Sequence, residues 1–184
     1  MMTKTTKFIL ALALQISVLV IVLVYKASIS VGGTPVLLEI APVDPRDPLR
    51  GDYVTFRYER ISHFGGYMIK DDSIKQGDTV YVTLIKSNPY WKPVQLEKKK
   101  PNPKTLNNEK VFLKGKVIRS YIDKEGRGKD SSVDVRYGIE EYFIPEGTGQ
   151  NINFLNKETA AMVAIDQDGN AVLKRLYVDN KPWP

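Results

Sequence analysis

One apolar run near the N-terminus constrains this chain more than any other feature. From Phe8 to Tyr25 the residues are almost all Leu, Ile, Val, Ala or Phe, and only Gln15 and Ser17 clearly interrupt the run. As a helix that rises 1.5 Å per residue, this run is about 27 Å long, which is enough to cross the hydrocarbon core of a bilayer. We therefore predict a transmembrane helix over residues 8–25.

The lysines around this run predict its orientation. Lys4 and Lys7 precede it, whereas only Lys26 follows closely. Because positive charge favours the cytoplasmic side, we predict a cytoplasmic N-terminus over residues 1–7 and an extracytoplasmic C-terminal domain on a bacterial inner (plasma) membrane. A cleavable signal peptide is the alternative. An uncleaved signal anchor is favoured, because the run exceeds a usual signal-peptide core and residues 25–28 lack a clear small-x-small cleavage site.

The rest of the chain predicts a short linker over residues 26–34 and one domain over residues 35–184. A segment of this length can bury a hydrophobic core as a single domain. The sequence contains no cysteine, which excludes disulfides, thiol nucleophiles and cysteine-based zinc sites. His63 is the single histidine, which excludes a multi-histidine metal centre. We predict no metal and no cofactor.

Short alternating segments separated by turn residues predict a domain made mainly of β-strands. The predicted strands cover residues 36–40, 53–58, 79–85, 90–96, 111–118, 133–144, 161–165 and 171–178. Pro93 favours an edge position for its strand, because proline cannot donate a hydrogen bond to a neighbour. Asp166 to Asn170 lacks the downstream acidic ligand of a calcium loop and predicts a hairpin turn. This pattern indicates an antiparallel β barrel or sandwich behind the transmembrane helix.

Only two segments have helical features. Residues 71–77 can form a short helix that ends at Gly77, and residues 150–156 can form a second. Gly51-Asp52 and Gly77-Asp78 each stand directly before an alternating strand. The repeated dipeptide predicts a turn in which glycine supplies a left-handed backbone and the aspartate binds nearby N–H groups.

Lysines are concentrated in one region of the sequence. Between Lys92 and Lys116 there are eight lysines and two glutamates, a difference equal to the net charge of +6 of the whole chain. A solvated loop broken by prolines is one interpretation. Contact of Lys98, Lys99 and Lys100 with anionic lipid headgroups is the other. Nucleic acid is not a predicted partner, because arginine and aromatic residues do not alternate with these lysines.

Residues 44–52 combine a rigid backbone with dense charge. Pro42, Pro45 and Pro48 fix their φ angles and push the preceding residues toward extended conformations. The charged side chains of this loop are Asp44, Arg46, Asp47, Arg50 and Asp52. Each arginine can bond a carboxylate through two N–H groups. Two interpretations stay open: an ion-pair network that fixes the loop, and a recognition surface for an extracytoplasmic partner.

The strand after this loop carries a family signature. Residues 51–58, Gly-Asp-Tyr-Val-Thr-Phe-Arg-Tyr, resemble the signature of the GDYXXLXY family, with Phe56 where the family name has Leu. Residues 77–84, 137–147 and 176–179 match as well, so the resemblance covers nearly all of residues 30–180. This family consists of single-anchor bacterial membrane proteins without an assigned reaction. The resemblance implies an accessory role beside a multi-pass membrane protein.

Residues 137–147 complete the predicted site. They predict one strand whose two faces both mix aromatic and acidic side chains. Glu140 and Glu146 can pair with Arg46 or Arg50, which would join both segments into one site; alternatively, the acidic side chains face solvent on an edge. The predicted binding surface consists of Asp44, Arg46, Asp47, Arg50, Asp52, Tyr53, Tyr58, Tyr137, Glu140, Tyr142 and Glu146.

Catalytic motifs are weak in this sequence, so no catalytic residue is predicted. Pro48 to Val54 resembles membrane-anchored signal peptidases, but residues 41–47 contain no Ser or Thr to act as the nucleophile. Paired carboxylates from Asp44, Asp52, Glu140 and Glu146 make a cell-envelope hydrolase the alternative function. The favoured function is an extracytoplasmic binding or accessory module for an integral membrane protein or an envelope component.

Overall fold

A computed structural model of the chain describes residues 3–43, 53–102, 109–123, 130–145, 154 and 157–184. One long helix, α1, covers Lys4–Gly32, and a 3-10 helix covers Gly66–Met68. The strands are β1 (Thr34–Val43), β2 (Tyr53–Tyr58), β3 (His63–Gly65), β4 (Thr79–Ile85), β5 (Lys92–Glu97), β6 (Lys110–Tyr121), β7 (Ser132–Arg136), β8 (Glu141–Phe143), β9 (Thr159–Ile165), β10 (Ala171–Val178) and β11 (Lys181–Trp183). The chain is therefore one apolar helix followed by a mainly β-domain.

The strands form two antiparallel sheets. The first has the order β11-β10-β9-β1-β2-β8, and the second has the order β3-β7-β6-β4-β5. One sheet curls into a near-closed barrel and the other into a half-barrel. Buried side chains of both sheets, such as Val36 and Phe56 from the first and Val82 and Val135 from the second, belong to one hydrophobic cluster. A shared core makes the two sheets a single folding unit.

Helix α1 is long and apolar enough to cross a membrane by length and composition, and its apolar window is not buried against the domain. It begins at Thr3, whose side-chain oxygen accepts a hydrogen bond from the backbone N–H of Thr6 at 3.2 Å. At the other end, the N–H of Gly33 bonds the carbonyl of Ile29 at 2.9 Å. The helix continues past residue 25, so most of the predicted linker over residues 26–34 is helical.

The last turns of α1 pack against the β-domain. Ile29 is buried, and the side-chain amide of Asn170, in the β9–β10 turn, donates a hydrogen bond to the hydroxyl of Tyr25 at 2.9 Å. A Cβ atom on Gly33 would lie 2.6 Å from the carbonyl oxygen of Ile29 and 3.0 Å from the backbone of Ile165. Only glycine fits this junction without displacement, so helix and domain are joined closely and directly.

Most of the predicted strands are confirmed, because their alternation matches the buried and exposed faces. β4 has the predicted bounds, β5 is an edge strand that contains Pro93, and β9 and β10 form the predicted hairpin. The carboxylate of Asp166 accepts hydrogen bonds from the N–H groups of Asp168 and Asn170, both at 2.8 Å. The hairpin turn is therefore held by its own aspartate.

Three predictions about local structure need correction or lie outside the described residues. The single strand predicted over residues 133–144 is wrong: it is divided into β7 in the second sheet and β8 in the first, because Gly138 has a positive φ of 75° and turns the chain. The helix predicted over residues 71–77 is a series of turns. The helix predicted over residues 150–156 falls almost wholly outside the described residues. The short strands β3 and β11 had no alternating pattern that could predict them.

Candidate functional site

The predicted binding surface is only partly within the described residues. Its charged loop, with Asp44, Arg46, Asp47, Arg50 and Asp52, lies outside them, as does Glu146. The proposed pairing of Glu140 and Glu146 with Arg46 or Arg50 therefore also lies outside the described part of the chain. Tyr53, Tyr58, Tyr137, Glu140 and Tyr142 are described: Tyr58 and Tyr137 form an inner pair, Tyr53 and Tyr142 lie at a sheet edge, and Glu140 follows the segment that the inner pair holds.

The inner pair consists of Tyr58, which is buried, and Tyr137, which is half-buried. Their rings meet edge to face with centroids 6.1 Å apart. The Tyr58 hydroxyl donates a hydrogen bond to the carbonyl of Ile139 at 2.9 Å, and the Tyr137 hydroxyl donates one to the carbonyl of Ile61. Each tyrosine thus bonds the backbone beside the other, which ties the end of β2 to the segment between β7 and β8.

The environment of this pair favours neutral hydroxyls. Burial, with the nearby carboxylate of Glu140 as a second cause, raises the pKa of Tyr58 well above its usual value. The same two causes, in the same order, raise the pKa of Tyr137. Tyr58 is wholly buried and uses its hydroxyl inside the protein. Its contribution to the site is therefore to hold the backbone, and it is not exposed to a partner.

The edge group lies at β8, the outer strand of the first sheet. Tyr53 and Phe143 are partners in the β2–β8 pair, and their rings lie 6.1 Å apart. Tyr142 is paired with Val54 and packs against the core, whereas Phe143 is largely exposed. An aromatic surface formed by Tyr53 and Phe143 therefore marks this edge.

A cleft of about 830 Å³ opens where the two sheets meet. The first sheet side contributes Thr55, Phe56, Arg57, Glu140 and Glu141, and the second sheet side contributes Ser62, His63, Ile118, Arg119, Asp134, Val135, Arg136 and Gly138. The volume is within the range of about 300–1,000 Å³ that is typical of sites for small ligands. The β2 strand and the 137–141 segment, both in the predicted site, thus form walls of one cavity.

Alternation along the strands directs the charged side chains of this cleft outward. In β2, Arg57 is exposed between the buried Phe56 and Tyr58. In β7, Asp134 and Arg136 alternate with the buried Val133 and Val135. Since successive strand residues point to opposite faces, these charges lie on the solvent side of their sheets.

Two of the three carboxylates that line the cleft, those of Asp134 and Glu140, already have partners within the chain. Oδ1 of Asp134 lies 2.7 Å from Nδ1 of His63, and its Oδ2 lies 3.7 Å from Nη1 of Arg119. Oε1 of Glu140 accepts a hydrogen bond from the backbone N–H of Tyr137 at 2.5 Å. Glu141 is exposed at the rim. The acidic groups therefore help to shape the cleft and leave its arginines exposed.

A protein-family model described as GDYXXLXY protein matches residues 15–176. The chain belongs to the GDYXXLXY family. No curated protein and no solved structure matches it significantly. The family signature lies largely on β2, where Tyr53 contacts Phe143, Phe56 is buried in the core and Tyr58 bonds Ile139. In this member of the GDYXXLXY family, the described part of the signature therefore builds one wall of the cleft.

Sequence reasoning did not select the arginines of the cleft, nor His63 and Asp134. The alternation of residues 53–58 and 133–136 could have assigned Arg57, Asp134 and Arg136 to outward faces. No sequence signal relates Arg57 to Arg119 and Arg136, because Arg57 lies in the first sheet and the other two lie in the paired strands β6 and β7 of the second. His63, which the sequence analysis used only to exclude a multi-histidine metal centre, lies in β3 and pairs with Asp134 along the sheet as well as through its side chain.

Two of the three lysines at residues 98–100 make ion pairs. Lys98 binds Asp78 with 2.8 Å between Nζ and Oδ2, and Lys100 binds Asp168 with 2.5 Å between Nζ and Oδ1. The hydrogen bond from each lysine is the main cause that lowers the pKa of its aspartate. Asp168 belongs to the β9–β10 turn that contacts α1, so Lys100 lies on the helix side of the domain.

Proposed function

We propose that this protein is a membrane-anchored, extracytoplasmic binding module that serves an integral membrane protein or an envelope component as an accessory subunit. The main support for this proposal is the cleft between the two sheets. The strand of the family signature and residues 138–141 form part of its lining. Concave sites with a few convergent polar groups are the usual form of binding sites. The cleft is therefore the surface through which the module acts.

The dimensions of α1 support the anchor in this proposal. Tyr25 and Ile29 contact the domain, which leaves the apolar residues 8–24 of the helix for the hydrocarbon core of the bilayer. That stretch is about 26 Å long, near the roughly 30 Å of a hydrocarbon core. The domain would therefore sit directly on the membrane surface, with the exposed Lys99 available for contact with anionic headgroups, whereas its neighbour Lys100 is paired with Asp168.

The register of β1 indicates which part of a partner can reach the cleft. β1 starts at Thr34, beside the end of α1, and Ala41 is the residue paired with Arg57. Seven residues of strand separate these points, a distance of about 23 Å. A partner would therefore bind the cleft through an extramembrane segment, and its membrane helices would contact α1 if they contact this protein at all.

Hydrolysis with paired carboxylates, the alternative, has weaker support. Of Asp44, Asp52, Glu140 and Glu146, only Glu140 is in the described residues, and its Oε1 is bonded to the backbone of Tyr137. Asp134 is held by His63. Because both carboxylates are already bonded to groups of the chain itself, a structural role is favoured over acid–base catalysis.

Site-specific photo-crosslinking in cells tests the binding proposal. A photoreactive amino acid replaces Glu141 at the cleft rim or, as a control, Arg175, which is exposed on β10. We expect position 141 to capture one protein of defined mass and position 175 not to capture it. Arg57→Ala in the 141 background should reduce the product. Equal products from both positions, or none from 141, would contradict the proposal.

A further inference from the structure

Three arginines from separate strands line the cleft. Arg57 comes from β2, Arg119 from β6 and Arg136 from β7, and all three are exposed. They are distant in sequence, so the fold alone brings them to one cavity. Their convergence is the feature that indicates what the cleft binds.

Two of these arginines have no ion pair within 4.0 Å among the described residues, namely Arg57 and Arg136. Arg119 has only the long contact of 3.7 Å to Asp134, which is already bonded to His63. Arg60, a few residues from Arg57 in sequence, is different: its Nε lies 2.7 Å from a carboxylate oxygen of Glu39. The chain therefore pairs a nearby arginine, whereas Arg57 and Arg136 have no ion-pair partner among the described residues.

One of the cleft arginines also faces a second positively charged side chain across the sheet. Arg136 and Lys116 are directly opposite in the antiparallel β6–β7 pair, and both are exposed. Opposite residues share a face of the sheet, and like charges in this arrangement are destabilising. An anion bound at Arg136 would relieve this repulsion.

We infer that the cleft is an oxyanion site, in which Arg57 and Arg136 bind a phosphate or carboxylate group of the ligand and Arg119 adds positive charge. The planar guanidinium group matches both oxyanions with two parallel N–H donors. The hydroxyl-bearing residues Thr55 and Ser62 also line the cavity and offer further donors. This inference rests on the proposed binding function and specifies the chemistry of the ligand.

Calorimetric titration of the full-length protein tests the inference. The protein is held in a non-ionic detergent, so that lipid phosphate does not compete, and is titrated at constant ionic strength with inorganic phosphate, pyrophosphate or succinate. We expect saturable binding of at least one of these anions. A preference for the phosphates would assign a phosphoryl ligand, and a preference for succinate would assign a carboxylate ligand.

Variants distinguish specific anion binding in the cleft from nonspecific attraction of anions to a positively charged protein. We expect Arg57→Ala and Arg136→Ala each to weaken binding by about tenfold or more, because each removes charge-assisted hydrogen bonds. Arg57→Lys should recover only part of the affinity, since lysine keeps the positive charge but lacks the two parallel N–H donors of the guanidinium group. Arg175→Ala, a control on β10, should bind as the wild type does. Circular dichroism verifies that each variant is folded.

The inference is overturned if none of the three anions binds more tightly than chloride, or if Arg175→Ala weakens binding as much as Arg57→Ala does. The crosslinking experiment keeps this result separate from the proposed function. A crosslink from position 141 without anion binding would retain the binding module and reject the oxyanion site. Absence of both would reject both.

Discussion

The hydroxyl of Tyr58 lies 2.9 Å from the carbonyl oxygen of Ile139 and donates a hydrogen bond to it across more than half of the sequence length of the domain. This bond joins the last residue of the family signature to the segment that crosses from the second sheet to the first. Glu140 and Glu141, which follow Ile139, line the cleft. The signature tyrosine therefore fixes the position of one wall of the site.

Replacement of this tyrosine tests that relationship. Tyr58→Phe keeps the ring and removes the donor, which leaves the carbonyl of the buried Ile139 without this partner. We expect a loss of about 1–3 kcal/mol in the free energy of unfolding. Urea unfolding of the full-length protein in detergent, followed by circular dichroism, measures it. Tyr67→Phe is the control, because Tyr67 is 81% exposed. Equal stability of both variants would show that the bond contributes little.

Alkaline pH should destabilise the protein through the same pair. Burial raises the pKa of Tyr58 and of Tyr137 in the folded state. Below about pH 10 the hydroxyls are protonated in both states and their contribution is complete; above it, the unfolded chain releases protons that the folded chain retains, so stability falls as the pH rises.

The urea midpoint measured from about pH 8 to 11 tests this prediction. Other groups also contribute to the pH dependence of stability, so the informative quantity is the difference between wild type and Tyr58→Phe. We expect the wild type to lose stability more steeply. Parallel curves would mean that the buried hydroxyl does not drive the alkaline loss.

The ring of Tyr137 depends on a glycine in the neighbouring strand. A Cβ atom on Gly115 would collide with a methyl group of Val135 and would lie 2.9 Å from Cε1 of Tyr137. Gly115→Ala should therefore overpack this layer and lower the free energy of unfolding by about 1–3 kcal/mol. Gly32→Ala is the matched control, since nothing lies within 4 Å of the Cβ position there. The same unfolding assay applies, and the prediction is wrong if Gly115→Ala is as stable as the control.

Local alternation explains why most strands could be predicted. In β4, for example, Val80 and Val82 are buried while Thr79 is exposed. This pattern can be seen in residues that are adjacent in the sequence. The break at Gly138 was not predictable in the same way. Apolar residues continue at alternate positions from Val133 to Ile139, across Gly138, and only the positive φ of Gly138, which accompanies the change of sheet between β7 and β8, reveals the turn.

The cleft could not be predicted, because its charged residues share no local pattern. Arg119 and Arg136 lie in the paired strands β6 and β7, and Arg57 lines the same cavity only because the β2 and β8 side of one sheet meets the β3 and β7 side of the other. The site predicted from the sequence relied instead on tyrosines, which can be recognised as candidate binding residues without knowledge of the fold. Tyr58 and Tyr137 proved to be neighbours of the cleft that hold its backbone.

Membrane topology can be measured directly, because the chain has no cysteine and a single introduced one would be its only thiol. We expect Lys174→Cys, on the exposed face of β10, to react with a membrane-impermeant maleimide in intact spheroplasts, and Thr5→Cys to react only after permeabilisation. Thr5 lies in the first turn of α1, so the reverse pattern would invert the proposed orientation.

The intact mass of the purified protein tests the signal-peptide alternative. If Thr5→Cys is not labelled and the measured mass lacks the N-terminal segment, the segment has been cleaved. In that case α1 could not anchor the domain, and the cleft would belong to a released protein.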